Sequence, residues 1–168
     1  MTYQDALAKQ SAAKERRRKR AEKGPNRATR MRRVKAQLAV LWSIAVRRRD
    51  GKCVMCGKTD TLQAHHWLFF KSHSMALAFN PANGATLCYP CHIFKLHMRG
   101  DGDFAMRLCE TMTARVGSGI VEEMREIARN PRPISLEELE ELRYAFTGNQ
   151  ALPPMTGNPG EPPQEAKP

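Results

Sequence analysis

Two Cys-x-x-Cys pairs, Cys53/Cys56 and Cys88/Cys91, are separated by 31 residues and enclose most of the chemically distinctive part of the chain. A Cys-x-x-Cys turn presents two sulfurs to one ion, and tetrahedral zinc takes four ligands, at about 2.3 Å for sulfur. Two such turns complete one site, so the pattern predicts a structural Zn²⁺ on Cys53, Cys56, Cys88 and Cys91. A redox Cys-x-x-Cys needs only one pair and a thioredoxin-like context, which is absent. The gap is longer than in a compact zinc ribbon, so the ion staples the ends of a sizeable insert. Such binding contributes on the order of 10 kcal/mol, which matters in a small core.

The insert holds residues left over for chemistry: His65-His66, then Asn83, with His92 directly after the last cysteine. On a regular strand adjacent side chains point to opposite faces. His65 and His66 then do not readily share one ligand set. A division of labour follows: one ring binds a metal, the other stays neutral to take a proton from water. Histidine suits that work because it titrates near neutrality. His97 lies five residues after His92, about 140° around a helix of 3.6 residues per turn. The two imidazoles then face apart, which leaves His97 a minor option. Lys95 lies three residues after His92, on the same face, within reach of a phosphate near the metal. His73 falls in a polar loop, Cys109 reads as an inert core thiol, and Trp42 and Trp67 read as core.

The formal charge is +11 and very uneven. Residues 1–50 hold 16 Lys and Arg against 4 Asp and Glu, whereas residues 101–168 hold 7 against 12. The basic half points to a polyanion and the acidic half to solvated helix surface. Beside a metal site, that polyanion reads as nucleic acid. The phosphate-binding capacity lies in Arg16, Arg17, Arg18, Lys19, Arg20, Arg27, Arg30, Arg32, Arg33, Arg47, Arg48 and Arg49. These would grip backbone without reading bases, and binding should fall steeply with salt. No segment approaches the roughly 18 apolar residues of a membrane span, and no apolar leader follows the start. Five cysteines then fit a reducing compartment, the cytoplasm, where paired Cys-x-x-Cys motifs are more often metal ligands than disulfides.

The expected organisation has four parts. Residues 1–27 form a flexible or conditionally helical basic arm, broken at Gly24-Pro25-Asn26. Residues 28–99 hold a helix over 28–49 with Met31, Val34, Leu38, Leu41, Trp42 and Ala45 on one face, followed by the stapled core. In that core a knuckle runs from Cys53 to Gly57, Leu62–Phe70 is a strand or hairpin arm, Lys71–Ala82 is a loop, and 92–99 is a helix. Residues 100–147 hold helices over 103–116, capped by Asp103, over 119–129, and over 135–146, opened by the Ser135/Glu138 capping box. Residues 148–168 form a disordered Pro-rich tail.

The segments Arg-Asp-Gly-Lys-Cys53-Val-Met-Cys56-Gly, Leu-Gln-Ala-His65-His66-Trp, Asn80-Pro-Ala-Asn83 and Leu-Cys88-Tyr-Pro-Cys91-His92 resemble, over about residues 47–99, an HNH endonuclease of the zinc-stabilised ββα-metal type. More weakly, the basic arm, Leu77-Ala-Phe79-Asn80 and the C-terminal Leu-Glu-Glu-Leu helix are similar to the phage NinG/Rap recombination endonucleases. His65-His66 and Cys-His stand where that narrower group has Gly-His and Cys-Asn, which moves the site towards the general HNH pattern.

The resemblance implies an α+β fold: a small ββα-metal core stapled by four cysteines, with flanking α-helices and disordered termini. It implies hydrolysis of DNA phosphodiester bonds in phage recombination, repair or packaging, in the host cytoplasm. His66 would be the general base, with Asn83 bracing the loop that orients it. His65 and His92 would hold a catalytic Mg²⁺ or Mn²⁺, with Ni²⁺ or Zn²⁺ also accepted by imidazoles. DNA would be the main partner, joined by a second copy or another phage protein where two strands are cut. The rival reading is a non-catalytic zinc-dependent nucleic-acid-binding protein.

Overall fold

The computed structural model describes residues 3–70 and 74–148, apart from the side chains of residues 20–22. His73 and almost all of the Pro-rich tail lie outside that range.

The basic arm is a continuous helix, α1 (Tyr3–Glu22). Its Ala, Lys, Arg and Gln have high helix propensity. Arg18 and Lys19 reach back to Glu15 at 3.1 and 3.6 Å, the one-turn pairing that supports a helix without an apolar face. Among its described side chains only Ala6 and Glu15 are even half-buried. Helix α2 (Arg27–Asp50) follows, capped by Asn26, whose side chain accepts from the Thr29 amide, and closed by Gly51 at φ 66°. Its buried stripe is Val34, Leu38, Trp42 and Val46.

Strands β1 (Leu62–His66) and β2 (Gly84–Cys88) pair antiparallel, with Gln63 opposite Leu87, His65 opposite Ala85 and His66 opposite Gly84. The expected loop between them contains a short helix, α3 (Met75–Ala78), and a tight turn over Pro81–Asn83. Leu77 and Ala78 are buried, and apolar anchoring of this kind winds the segment up. After β2 comes a π-helix (Pro90–Met98), then α4 (Gly102–Val116), α5 (Ser118–Arg129) and α6 (Leu136–Thr147). Helix α4 starts one residue earlier than expected and its cap is Asp101, not Asp103: Asp101 accepts from the Phe104 amide at 2.9 Å. The Ser135/Glu138 capping box is present at α6.

The two-stranded sheet separates two apolar clusters. On the Ala85 and Leu87 face lie Phe104, Leu108 and Met112 of α4 with Val121 and Met124 of α5. On the other face lie the α2 stripe, Ala78, Phe79, and Leu136 and Leu139 of α6. The α2 junction is close. A Cβ added to Gly84 would meet Val46 Cγ2 at 2.4 Å and Trp42 Cζ2 at 2.9 Å. Thr86 Oγ1 donates to Val46 O at 3.1 Å, and the Thr86 amide donates to the buried Asp50 carboxylate at 2.9 Å. Arg49 and Arg115 neutralise that carboxylate at 2.9 and 3.0 Å. Gly84→Ala should therefore cost about 2 kcal/mol by overpacking, whereas Gly119→Ala, with nothing within 4 Å, should cost nothing. Thermal melts of the two zinc-loaded variants would show it.

Candidate metal centres and the histidine site

The four sulfurs of Cys53, Cys56, Cys88 and Cys91 lie within 4.8 Å of one another, and none is in a disulfide. Cys56 Sγ and Cys88 Sγ are 3.5 Å apart, close to the edge of about 3.8 Å that a tetrahedron of Zn–S bonds requires. The first pair sits in a turn closed by the Gly57 amide on Cys53 O, with Gly57 at φ 75°. The second pair runs from the end of β2 into the first residues of the π-helix.

The thiols do not ionise alike. Burial raises Cys53, but the amides of Cys88, Cys56 and Met55 outweigh it and bring the group down to about 7. Cys88 and Cys91 are pushed up, first by burial; for Cys91 the neighbouring thiols add to it. Such a set does not carry full negative charge without a cation, so the four cysteines are positioned to bind a metal ion such as zinc. Loading should release at least two protons at neutral pH, those of Cys88 and Cys91. Titration calorimetry in buffers of different ionisation enthalpy would count them.

Strand alternation distributes the histidines. Gln63 and His65 point to the π-helix side of the sheet, and His66 points to α2. His65 Nδ1 lies 3.1 Å from His92 Nε2, and His97 Nε2 lies 3.1 Å from the same atom. The ligand atoms of His65, His92 and His97 all fall within 4.8 Å of one another. This corrects the expected place of His97. The segment is wound as a π-helix, shown by the Arg99 amide reaching back five residues to Phe94 O at 3.0 Å. With i→i+5 bonds, residues five apart come onto one face, not 140° around it. The Lys95 ammonium lies 4.9 Å from the Phe104 ring centroid.

His92 Nδ1 donates to Gln63 Oε1 at 2.5 Å, which fixes its proton there and leaves Nε2 as the lone-pair nitrogen of the cluster. Gln63 was not singled out in the sequence; its signal is the same strand parity as His65, two residues earlier. Burial, then repulsion from His92 and His97, holds His65 down at about 4, and burial followed by His97 lowers His92. Neutral imidazoles with no carboxylate among them are the donor set a divalent transition ion takes.

His66 stands apart. Its ring stacks on Trp42 at 4.0 Å with an interplanar angle of 10°, and Nε2 lies 2.9 Å from Ala78 O. A carbonyl only accepts, so Nε2 carries the proton and Nδ1 is the lone-pair nitrogen. Trp42 is itself tied to Asn80 O at 3.0 Å. Asn83 is fully buried. Its oxygen accepts from the Leu68 and Phe69 amides at 3.3 and 3.0 Å, and its amide donates to Phe69 O and Leu77 O at 2.7 and 3.1 Å. All four hydrogen-bonding positions are used. Asn83 thus holds the Leu77 carbonyl, next in the chain to the Ala78 carbonyl on His66.

The basic residues divide too. Arg49 donates to Asp50, Pro81 O and Gly84 O, so its guanidinium clips α2 to the β2 turn instead of facing a ligand. Arg30 pairs with Glu140 at 2.8 Å and Arg27 with Glu137 at 3.4 Å. Arg16, Arg17, Arg18, Lys19, Arg32, Arg33 and Arg48 are exposed and Arg47 half-buried; the Arg20 side chain lies outside the described set. Among the described residues no helix is long and apolar enough to cross a membrane. Against known proteins, the chain matches no family model, no curated protein and no solved structure.

His65 links this site to stability. Its folded value of about 4 lies below the ordinary 6.5. Between those values the unfolded chain binds a proton that the folded one does not, so this stability is complete above pH 6.5 and is lost as pH falls through about 4. The effect is on the order of 2 kcal/mol. Urea melts of wild type and His65→Ala, each given a single equivalent of zinc for the cysteines so that the histidine cluster stays metal-free, should diverge in that direction on descending from neutral pH, the variant having the shallower slope.

Proposed function

We propose that the protein is a metal-dependent endonuclease of the HNH kind that hydrolyses DNA phosphodiester bonds, acting on phage DNA in recombination, repair or packaging. The observation that carries this reading is the one-residue step separating His66 from a three-imidazole cluster, with each set of rings held by its own partners. A divalent ion held by His65, His92 and His97 would supply positive charge where the phosphate and the leaving 3′ oxygen gain negative charge.

The chain's own residues do the rest. Ala78 O and the face of Trp42 hold the His66 ring in one tautomer and one plane. Nδ1 is then the site that takes a proton from water as the water oxygen attacks phosphorus and the bond from phosphorus to the 3′ oxygen breaks. Solvent returns a proton to that oxygen, giving a 5′-phosphate and a 3′-hydroxyl. Asn83 keeps the loop carrying Ala78 in place. Three imidazoles shift the expected preference from Mg²⁺ or Mn²⁺ towards Ni²⁺ or Zn²⁺, because oxygen-seeking ions gain little from a nitrogen-only set.

Supercoiled plasmid incubated with wild type and each divalent ion should be nicked, fastest with Ni²⁺ or Zn²⁺. His66→Ala should lower the rate by at least about a hundredfold while leaving DNA binding intact. Absence of cleavage with every ion, in folded protein retaining its cysteine-bound metal, would reject this reading in favour of a non-catalytic nucleic-acid-binding protein.

A further inference from the structure

Arg30, Arg33 and Gln37 follow one another at spacings of three and four along α2, beside buried Val34. Helix α6 lies across them. Between the helices is an open cleft of about 230 Å³ lined by Arg30, Arg33, Val34, Gln37, Glu140 and Arg143. Arg143 Nε is buried in the α2–α6 region and has no hydrogen-bond partner. Few unsatisfied buried donors persist in folded proteins, and a charged one is the most costly kind. The one carboxylate in the lining, Glu140, is engaged by Arg30 at 2.8 Å. What remains is two guanidinium groups and an amide facing a cleft with net positive charge. A guanidinium fork matches the oxygens of a phosphate.

We propose that this cleft binds a backbone phosphodiester of a polynucleotide, with Arg143 and Arg33 as its anion donors and Gln37 beside them. Its place along α2 defines the substrate. Arg33 and Trp42 are nine residues apart on the helix, about 13 Å at 1.5 Å per residue, and Trp42 stacks on His66. At about 3.4 Å per nucleotide step, the bound phosphate lies roughly four nucleotides from a bond held at His66. The site therefore selects polynucleotides long enough to reach the second contact over mononucleotides or dinucleotides. The choice of a nucleic acid over another polyanion and the spacing counted from His66 both rest on the function proposed above.

The test measures binding of a fluorescent DNA duplex of about two helical turns, ~20 base pairs, across a range of salt. The full chain carries His66→Ala to prevent cutting, with Arg143→Gln, Arg33→Gln or both, and Arg125→Gln on α5 as control. The double variant should bind about tenfold more weakly and lower the magnitude of the logarithmic salt slope by about 0.9, the value for one phosphate; Arg125→Gln should change neither. Arg143→Lys, which keeps the charge and the α6 packing but loses the fork, should fall between, and circular dichroism would verify its fold. Inorganic phosphate should shift the Arg143 Nε–H resonance saturably. Equal loss in the control, an unchanged slope, or no response to phosphate would overturn the proposal. Tighter binding of polyglutamate than of DNA would overturn it in favour of an acidic protein partner. A wild type that cuts no DNA, yet loses duplex affinity on Arg143→Gln, would reject hydrolysis and still support the cleft.

Discussion

Cys56 Sγ and Cys88 Sγ stand 3.5 Å apart although 32 positions separate them in sequence. That closure sets where β1 starts and β2 ends, because one cysteine pair precedes β1 and the other spans the end of β2 and the start of the π-helix. Without a cation Cys88 and Cys91 resist ionisation, as their upward shifts show. A two-stranded sheet is marginal by itself. Here the cross-link at one end and the α2 contacts at the other supply what five paired residues per strand do not.

The α2 contact does more than bury apolar surface. Gly84 lets the helix approach β2 closely, and Arg49 with the buried Asp50 carboxylate locks its C-terminal turn to the Pro81 and Gly84 carbonyls. A pair so desolvated is costly if either partner is lost. The same approach delivers the Trp42 ring to the face of His66. The helix that carries much of the positive charge thus also sets the plane of the ring read as the base. Charge on this protein is correspondingly of two kinds: arginines of α1 and α2 that are exposed to solvent, and Arg49 and Arg115 spent on the fold.

On the opposite face, three imidazoles converge. Their convergence depends on the helix after the second cysteine pair being wound with five-residue hydrogen bonds. Ordinary winding would turn His97 away from His92. A π segment is usually a local irregularity at a functional site, and here it brings the third ring to within 3.1 Å of the second. Gln63 completes the cluster from behind by fixing the His92 proton.

The sequence by itself determined the four-cysteine cluster, a strand arm beginning at Leu62, the capping box of α6, and the split of His65 from His66. Each follows from short-range rules: ligand spacing, capping chemistry and the two-residue period of a strand. Only the tertiary structure decided the rest. The π winding that recruits His97, the internal use of Arg49 and the exposed position of Cys56 depend on which elements pack together, not on local spacing. Trp42 reads as core from its helical period alone, but the close approach at Gly84 turns it towards His66. Arg143 lies on an acidic helix, and only the packing of α6 on α2 buries its Nε and places it with Arg33 in one cleft. Local spacing encodes which atoms a segment offers; the packing of distant segments decides which of them meet.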